Sequence, residues 1–207
     1  MPGLEEWPSC RSAGRQNSAY RPSCQQIPRF FASLRITGWR GVMAALSAGS
    51  NAPDFTLSTL EGKPLALADS LKRGPAVLAF FKVSCPVCQY AFPFLERLYQ
   101  GYRNNQIAVI GVSQNSKRDT VAFRKQYGIT FPIVLDDPSN YRVSNAYGLT
   151  NVPSIFLLFP SGAIEVSSVG WSRAEIAEMN TKLAGAISTL PAPVFQPGQE
   201  VAEWKPG

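Results

Sequence analysis

The sequence predicts an α/β fold, a central mixed sheet flanked by helices. Three observations predict it. Strand-length apolar runs at Ala76–Phe81, Ile107–Val112 and Ile155–Phe159 alternate with longer stretches of helical period. The last of these runs turns back through Pro160-Ser161-Gly162 into Ala163–Val169, a hairpin, so the strand directions are mixed. Between the first run and the helix that follows it stands Cys85-Pro86-Val87-Cys88. Two thiols this close can close a small disulfide ring, and a helix start beside them favours a thiolate.

In chain order, Ala52-Pro53-Asp54-Phe55-Thr56-Leu57 opens the domain with a short strand. Glu61-Gly62 turns it, and Leu65-Ala66-Leu67 returns, giving a hairpin ahead of the main fold. Asp69 and Ser70 are the expected caps of a brief helical turn through Leu71 and Lys72. Gly74-Pro75 breaks the chain before the central strand.

Val87, Ala91, Phe94, Leu95, Leu98 and Tyr102 then recur at helical spacing. Pro86 suits the first turn, where no intrahelical N–H is needed, whereas Pro93 lies inside the pattern and predicts a kink. After the second strand, Lys117–Tyr127 is amphipathic and Gly128 stops it. A strand at Phe131–Leu135, a turn at Asp136-Asp137-Pro138 and a helix over Asn140–Tyr147 follow. Ser172 and Glu175 form a capping box that opens a final helix, running to about Ile187.

Composition narrows the chemistry. The 207 residues are 45% hydrophobic and 16% charged, an ordinary globular balance. The net charge of +6 divides unevenly: six Arg against two Glu before Met43 leave +4, while 14 basic and 12 acidic residues from Met43 onward leave +2. So small a surplus on the domain does not predict a nucleic-acid partner. There is no His among the 207 residues and there are four Cys, which excludes Cys-His and Ser-His catalytic pairs and any His-ligated zinc site. A four-Cys zinc site would need Cys10 and Cys24 to join Cys85 and Cys88, without the second close pair such sites use. No metal or cofactor is therefore expected, and no run reaches the ~18 apolar residues of a membrane span.

Residues 1–49 are expected to be a disordered extension. The Arg- and Ser-rich stretch fits a targeting presequence or a flexible basic tail. The favoured reading is an over-long reading frame with the true start at Met43, which implies a cytoplasmic protein; a genuine presequence would imply a periplasmic or targeted one. Cys10 and Cys24 in this segment read as unpaired, incidental thiols. The domain is expected over residues 50–190. Residues 191–207, with Pro191, Pro193, Pro197 and Pro206, are expected to be an extended, exposed tail.

The chain resembles the thioredoxin-like superfamily, in the redoxin branch that holds thiol-disulfide oxidoreductases and peroxiredoxins. The resemblance covers about Ala52–Ile187. Ala52-Pro53-Asp54-Phe55 is similar to the branch's N-terminal signature, and Cys85-Pro86-Val87-Cys88 falls at the active-site position. Pro93 stands where thioredoxins carry their helix-kinking proline. Tyr127-Gly128-Ile129-Thr130-Phe131-Pro132 and Tyr147-Gly148-Leu149 resemble the branch's strand-helix insertion. Val152-Pro153-Ser154 resembles the cis-proline loop that faces the dithiol. There are departures. Ser84 replaces the usual Trp, Ala79 the buried Asp, and Ala91 the Glu of many related reductases, so the usual proton-accepting carboxylates are missing. Lys82 could favour a thiolate, though a solvated strand-end side chain is the plainer reading.

The resemblance implies a thiol-disulfide oxidoreductase in which Cys85 is the nucleophile and Cys88 resolves, with backbone donation expected from Val87 and Cys88. Val152 and Pro153 would shape the substrate groove. The expected partners are a protein or small-molecule disulfide and a thiol electron donor. One rival is a thiol peroxidase, an antioxidant with Cys88 as peroxidatic thiol. The helper Thr would then be replaced by Cys85, and no Arg stands in Asn151-Val152-Pro153-Ser154. Another is a non-enzymatic redoxin-like binding module with a structural disulfide, which a reducing compartment disfavours.

Overall fold

A computed structural model of the chain describes residues 44–207. Five strands form the central sheet: β3 (Ala76–Phe81), β4 (Ala108–Ser113), β5 (Ile133–Leu135), β6 (Ser154–Leu158) and β7 (Ile164–Val169). Their spatial order is β5-β4-β3-β6-β7. β3 runs parallel to β4, and β4 to β5, while β6 is antiparallel to both β3 and β7. The mixed sheet is the one the alternation predicts. A small hairpin, β1 (Thr56–Ser58) with β2 (Pro64–Ala66), precedes it.

β3 is central because every one of its residues is fully buried. Val77, Ala79 and Phe81 face one apolar cluster; Ala76, Leu78 and Phe80 face the other. The first cluster is closed by α2 (Pro86–Tyr102), α3 (Lys117–Gln126) and α5 (Arg173–Ala186), through Leu95, Leu98, Phe123, Ile176, Met179 and Leu183. The second is closed by α1 (Leu67–Leu71) and α4 (Arg142–Ala146), through Leu67, Leu71 and Val143. Burying one Phe such as Phe81 contributes on the order of 1.5–3 kcal/mol, so this strand anchors whatever its C-terminal end presents.

Helix ends depart from expectation at α1 and at α4, which spans Arg142–Ala146 within the expected Asn140–Tyr147. α1 starts earlier than Asp69 and Ser70 would have it, and its N-cap position, Ala66, makes no side-chain bond. Burial of Leu67 and Leu71 one turn apart sets the start, and the Asp54 carboxylate reaches over from the opening motif to accept from the Ala68 N–H at 3.1 Å. Asp69 instead pairs with Lys72 on the surface. Ser172 caps α5 by accepting from the Glu175 N–H, as expected, and Gly128 ends α3 in the left-handed region at φ 64°. Among the described residues no helix is long and apolar enough to cross a membrane.

Both termini of the described chain correct the reading. The last residues of the expected extension are tied down: Leu46 donates its N–H to Tyr147 O, Ser167 Oγ donates to Leu46 O, and Gly49 N–H donates to Ile164 O. Met43, Cys10 and Cys24, and the expectations placed on them, lie outside the described residues. At the other end, the Pro-rich segment expected to be exposed lies against the domain. Val194 is 1% exposed and Ala192 8%. Asn180 brackets Ala192, accepting its N–H at 3.0 Å and donating to its O at 2.8 Å, and the buried Tyr102 hydroxyl bonds to the same Asn. Arg97 donates to Val194 O and Gln199 Oε1. Trp204–Lys205, β9, pairs antiparallel with Trp171–Ser172, β8. Proline gives the segment a preset extended path, and side chains from α2 and α5 supply the anchors that its composition conceals.

Candidate active site

The site is built on the end of β3. Past Phe81 the chain leaves the sheet, and Val83 is held from two sides: its N–H donates to Asn115 Oδ1 at 2.9 Å, and its carbonyl accepts from Gln89 Nε2 at 2.9 Å. The Cys85 N–H donates back to Lys82 O at 3.1 Å, closing the turn. Cys85 is the N-cap of α2, with extended backbone, and Pro86 is its first residue. The capping atom is sulfur: Cys88 N–H donates to Cys85 Sγ at 3.3 Å. Of the two donors expected, Cys88 makes the bond, and Val87 makes none among the described residues.

The two sulfurs sit in unlike surroundings. Cys85 is half-buried, at the lip of the site, whereas Cys88 is completely buried within the first apolar cluster. Burial pushes the Cys88 thiol far up from its ordinary value, and the adjoining Cys85 sulfur adds to the effect; backbone groups at Lys82 and Cys88 offset only part of it. Ala79 and Ala91 are both completely buried, so a carboxylate at either position would have to be desolvated. The Lys82 ammonium lies 5.5 Å from the centre of the Tyr141 ring, and the residue lines a polar cleft of about 160 Å³ with Gln114, Asn145 and Val152.

The facing loop comes from the start of β6. The Val152–Pro153 bond is cis. The Val152 carbonyl points at the dithiol and accepts from Cys85 Sγ at 3.2 Å. Ser154 Oγ donates to Asn151 O, and Gly170 N–H donates to Pro153 O, at 2.7 and 2.8 Å, so the loop is braced from both ends. Cys85, Cys88, Val152 and Pro153, singled out in sequences 67 residues apart, are thus brought together. Sequence reasoning missed the braces Asn115, Gln89 and Gly170. Each acts across a distance that leaves no local pattern, although Gln89, directly after the motif, carried the nearest thing to a signal.

A family model described as AhpC/TSA family matches residues 48–167, more than half of the chain. The chain belongs to the AhpC/TSA family. The match takes in the dithiol and the cis-proline loop together. Among curated proteins, the chain is 34% identical to thiol-disulfide oxidoreductase ResA of Geobacillus thermodenitrificans over 58% of its own length and 68% of the relative's. It is 32% identical to ResA of Bacillus subtilis, over 64% of its length and 74% of the relative's. Among solved structures, the thioredoxin domain of thiol-disulfide oxidoreductase BVU-2223 from Bacteroides vulgatus superposes with a TM-score of 0.60 at 22% identity, covering 67% of this chain and 98% of that one. Peroxidoxin BcpB of Mycobacterium tuberculosis shares the fold at a TM-score of 0.56 and 17% identity, over 69% of this chain and 97% of that one. Within the AhpC/TSA family this chain is a thioredoxin-like thiol-disulfide oxidoreductase.

Proposed function

We propose that Cys85 is the attacking sulfur and Cys88 the resolving one. The observation that carries this is their unequal placement: Cys85 at the lip as the helix N-cap, with the Cys88 N–H on its sulfur, and Cys88 wholly buried behind it. As thiolate, Cys85 attacks one sulfur of a substrate disulfide; that S–S bond breaks and one substrate thiolate leaves. Cys88 gives up its proton and attacks Cys85 Sγ, which releases the second substrate thiol and leaves a Cys85–Cys88 disulfide. Two electrons have then passed to the substrate, and an external thiol donor restores the dithiol by the same exchange in reverse. Val152 and Pro153 line the approach to Cys85.

The same placement speaks against the peroxidase reading. A peroxidatic Cys88 would need an exposed, readily ionised thiol, and Cys88 is buried with its proton held tightly.

The test uses Cys85→Ser and Cys88→Ser variants on a small disulfide, 2-hydroxyethyl disulfide, and on hydrogen peroxide. Loss of disulfide reduction in Cys85→Ser, by on the order of a thousandfold or more, is expected, with negligible peroxide turnover by the wild type. Peroxide consumption that survives Cys85→Ser and vanishes in Cys88→Ser would overturn the assignment.

A further inference from the structure

The segment over residues 202–207 does more than cover the core. From Ala202 to Gly207 it runs as a strap from the dithiol helix to the cis-proline loop. At its near end, Ala202 N–H donates to Tyr90 Oη at 2.9 Å, and Tyr90 stands two residues past Cys88 on α2. Trp171 Nε1 donates to Ala202 O at 2.7 Å, and Arg173 N–H donates to Glu203 O at 2.9 Å. The strap then pairs as β9 with Trp171–Ser172 and crosses directly over Gly170.

The crossing is close. A Cβ on Gly170 would meet Lys205 O at 2.5 Å and Gly207 N at 2.8 Å. At its far end the strap reaches the Val152 carbonyl: a side chain at position 207 would begin 3.0 Å from Val152 O and 3.2 Å from Gly170 Cα. Asn151 Nδ2 donates to Gly207 O at 3.0 Å and fastens that end. The Val152 carbonyl is therefore approached both by Cys85 Sγ and by the strap. An extended chain laid along Val152 to present its disulfide to Cys85 would run into residues 205–207. A slender disulfide needs to reach only Cys85, a residue that stays partly exposed.

We propose that the strap is a specificity element: it admits small disulfides to Cys85 and holds extended protein chains off the edge formed by Val152 and Gly170. The proposal rests on Cys85 as the attacking sulfur. The anchors are graded to suit this. Residues 202–203 are held by four hydrogen bonds to Tyr90, Trp171 and Arg173, one of them the Arg173–Glu203 ion pair. Residues 204–207 have a two-residue ladder, one bond from Asn151, and a Lys205 ammonium 4.7 Å from the centre of the Tyr90 ring, and Trp204 is 62% exposed. So short a ladder is weak by itself, and the outer half of the strap can lift without disturbing the inner half.

The test compares the full chain with a chain ending at Glu203 and with Asn151→Ala, which keeps the strap but cuts its far fastening. The probes are 2-hydroxyethyl disulfide and the disulfides of insulin. Both variants are expected to raise the insulin-to-small-disulfide ratio of kcat/KM by roughly fivefold or more, the worth of about one hydrogen bond, with the small disulfide unchanged. If the shortened chain fails to fold, Asn151→Ala decides alone. An unchanged ratio in a folded variant overturns the proposal, as does a rise on both probes in step. A wild type without Cys85-dependent turnover of either probe overturns the exchange reading itself, and the proposal with it.

Discussion

The Cys85 thiol donates to the Val152 carbonyl at 3.2 Å, across 67 residues of sequence. The carbonyl has the thiol as its donor only while Cys85 keeps its proton. When Cys85 is ionised or drawn into a disulfide it has no proton to donate, and the acceptor is freed as the sulfur becomes engaged. The expected signature is a displaced ¹³C carbonyl resonance of Val152 on oxidation, reproduced by Cys85→Ala in the reduced protein. A Val152 resonance that stays in place through both changes would show that the bond does not form in solution.

Cys88 must lose its proton before it can resolve a mixed disulfide, and burial opposes that loss. Only the small ionised fraction reacts at neutral pH. In single-turnover experiments the rate of resolution should climb about tenfold per pH unit from 6 to 9 without a plateau. A rate that levels off near pH 7 would mean that a base reaches Cys88 when substrate is bound.

Stability should fall on the alkaline side. The thiol of Cys88 is raised on folding, and the buried hydroxyls of Tyr147 and Tyr102 are raised too, all chiefly by desolvation. Below the ordinary thiol value near 9 the folded and unfolded chains both keep the Cys88 proton, and its contribution is fully present. Above it the unfolded chain releases the proton and the folded one does not, so stability drops as pH rises. Urea midpoints of the reduced protein should decline between pH 8 and 10, and Cys88→Ser should decline less. Parallel declines would assign the whole effect to the tyrosines.

Asn115→Ala removes the acceptor of the Val83 N–H, which is partly buried. Leaving that donor unpaired costs about 1–3 kcal/mol. Because Val83 holds the turn that presents Cys85, the variant should lose kcat on a small disulfide as well as thermal stability. Asp54→Ala, which removes a bond to the α1 N-terminus on the far side of the sheet, should cost about 1 kcal/mol and leave kcat unchanged. Equal kinetic losses in the two variants would show that general destabilisation, and not the Val83 clasp, is responsible.

What the sequence made legible is what is local. A run of six buried residues announces β3, and the Cys-x-x-Cys lies against it. Capping pairs such as Ser172 with Glu175 reveal helix starts because donor and acceptor are three residues apart. Illegible features depend on groups far apart in the chain. Asp54 caps a helix 14 residues on, and Asn115 braces a loop 32 residues away. Asp136, read as part of a turn, is buried and accepts from the Val143 and Ser144 N–H groups, because α4 begins where its carboxylate can receive them. The C-terminal segment was misread because its prolines resemble those of a free tail, while the Asn180, Arg97 and Trp171 side chains that fasten it are scattered over α2, β8 and α5.

The strand that carries the dithiol is buried on both faces, yet the two residues between the cysteines are not: Pro86 is exposed and Val87 only partly covered. Stability and reactivity are therefore written into neighbouring but separate stretches. Pro86 stands clear of the core, while Val87 rests one side against the first apolar cluster. The dithiol thus meets solvent along the short Pro86-Val87 link, while the framework beneath it is closed on both faces.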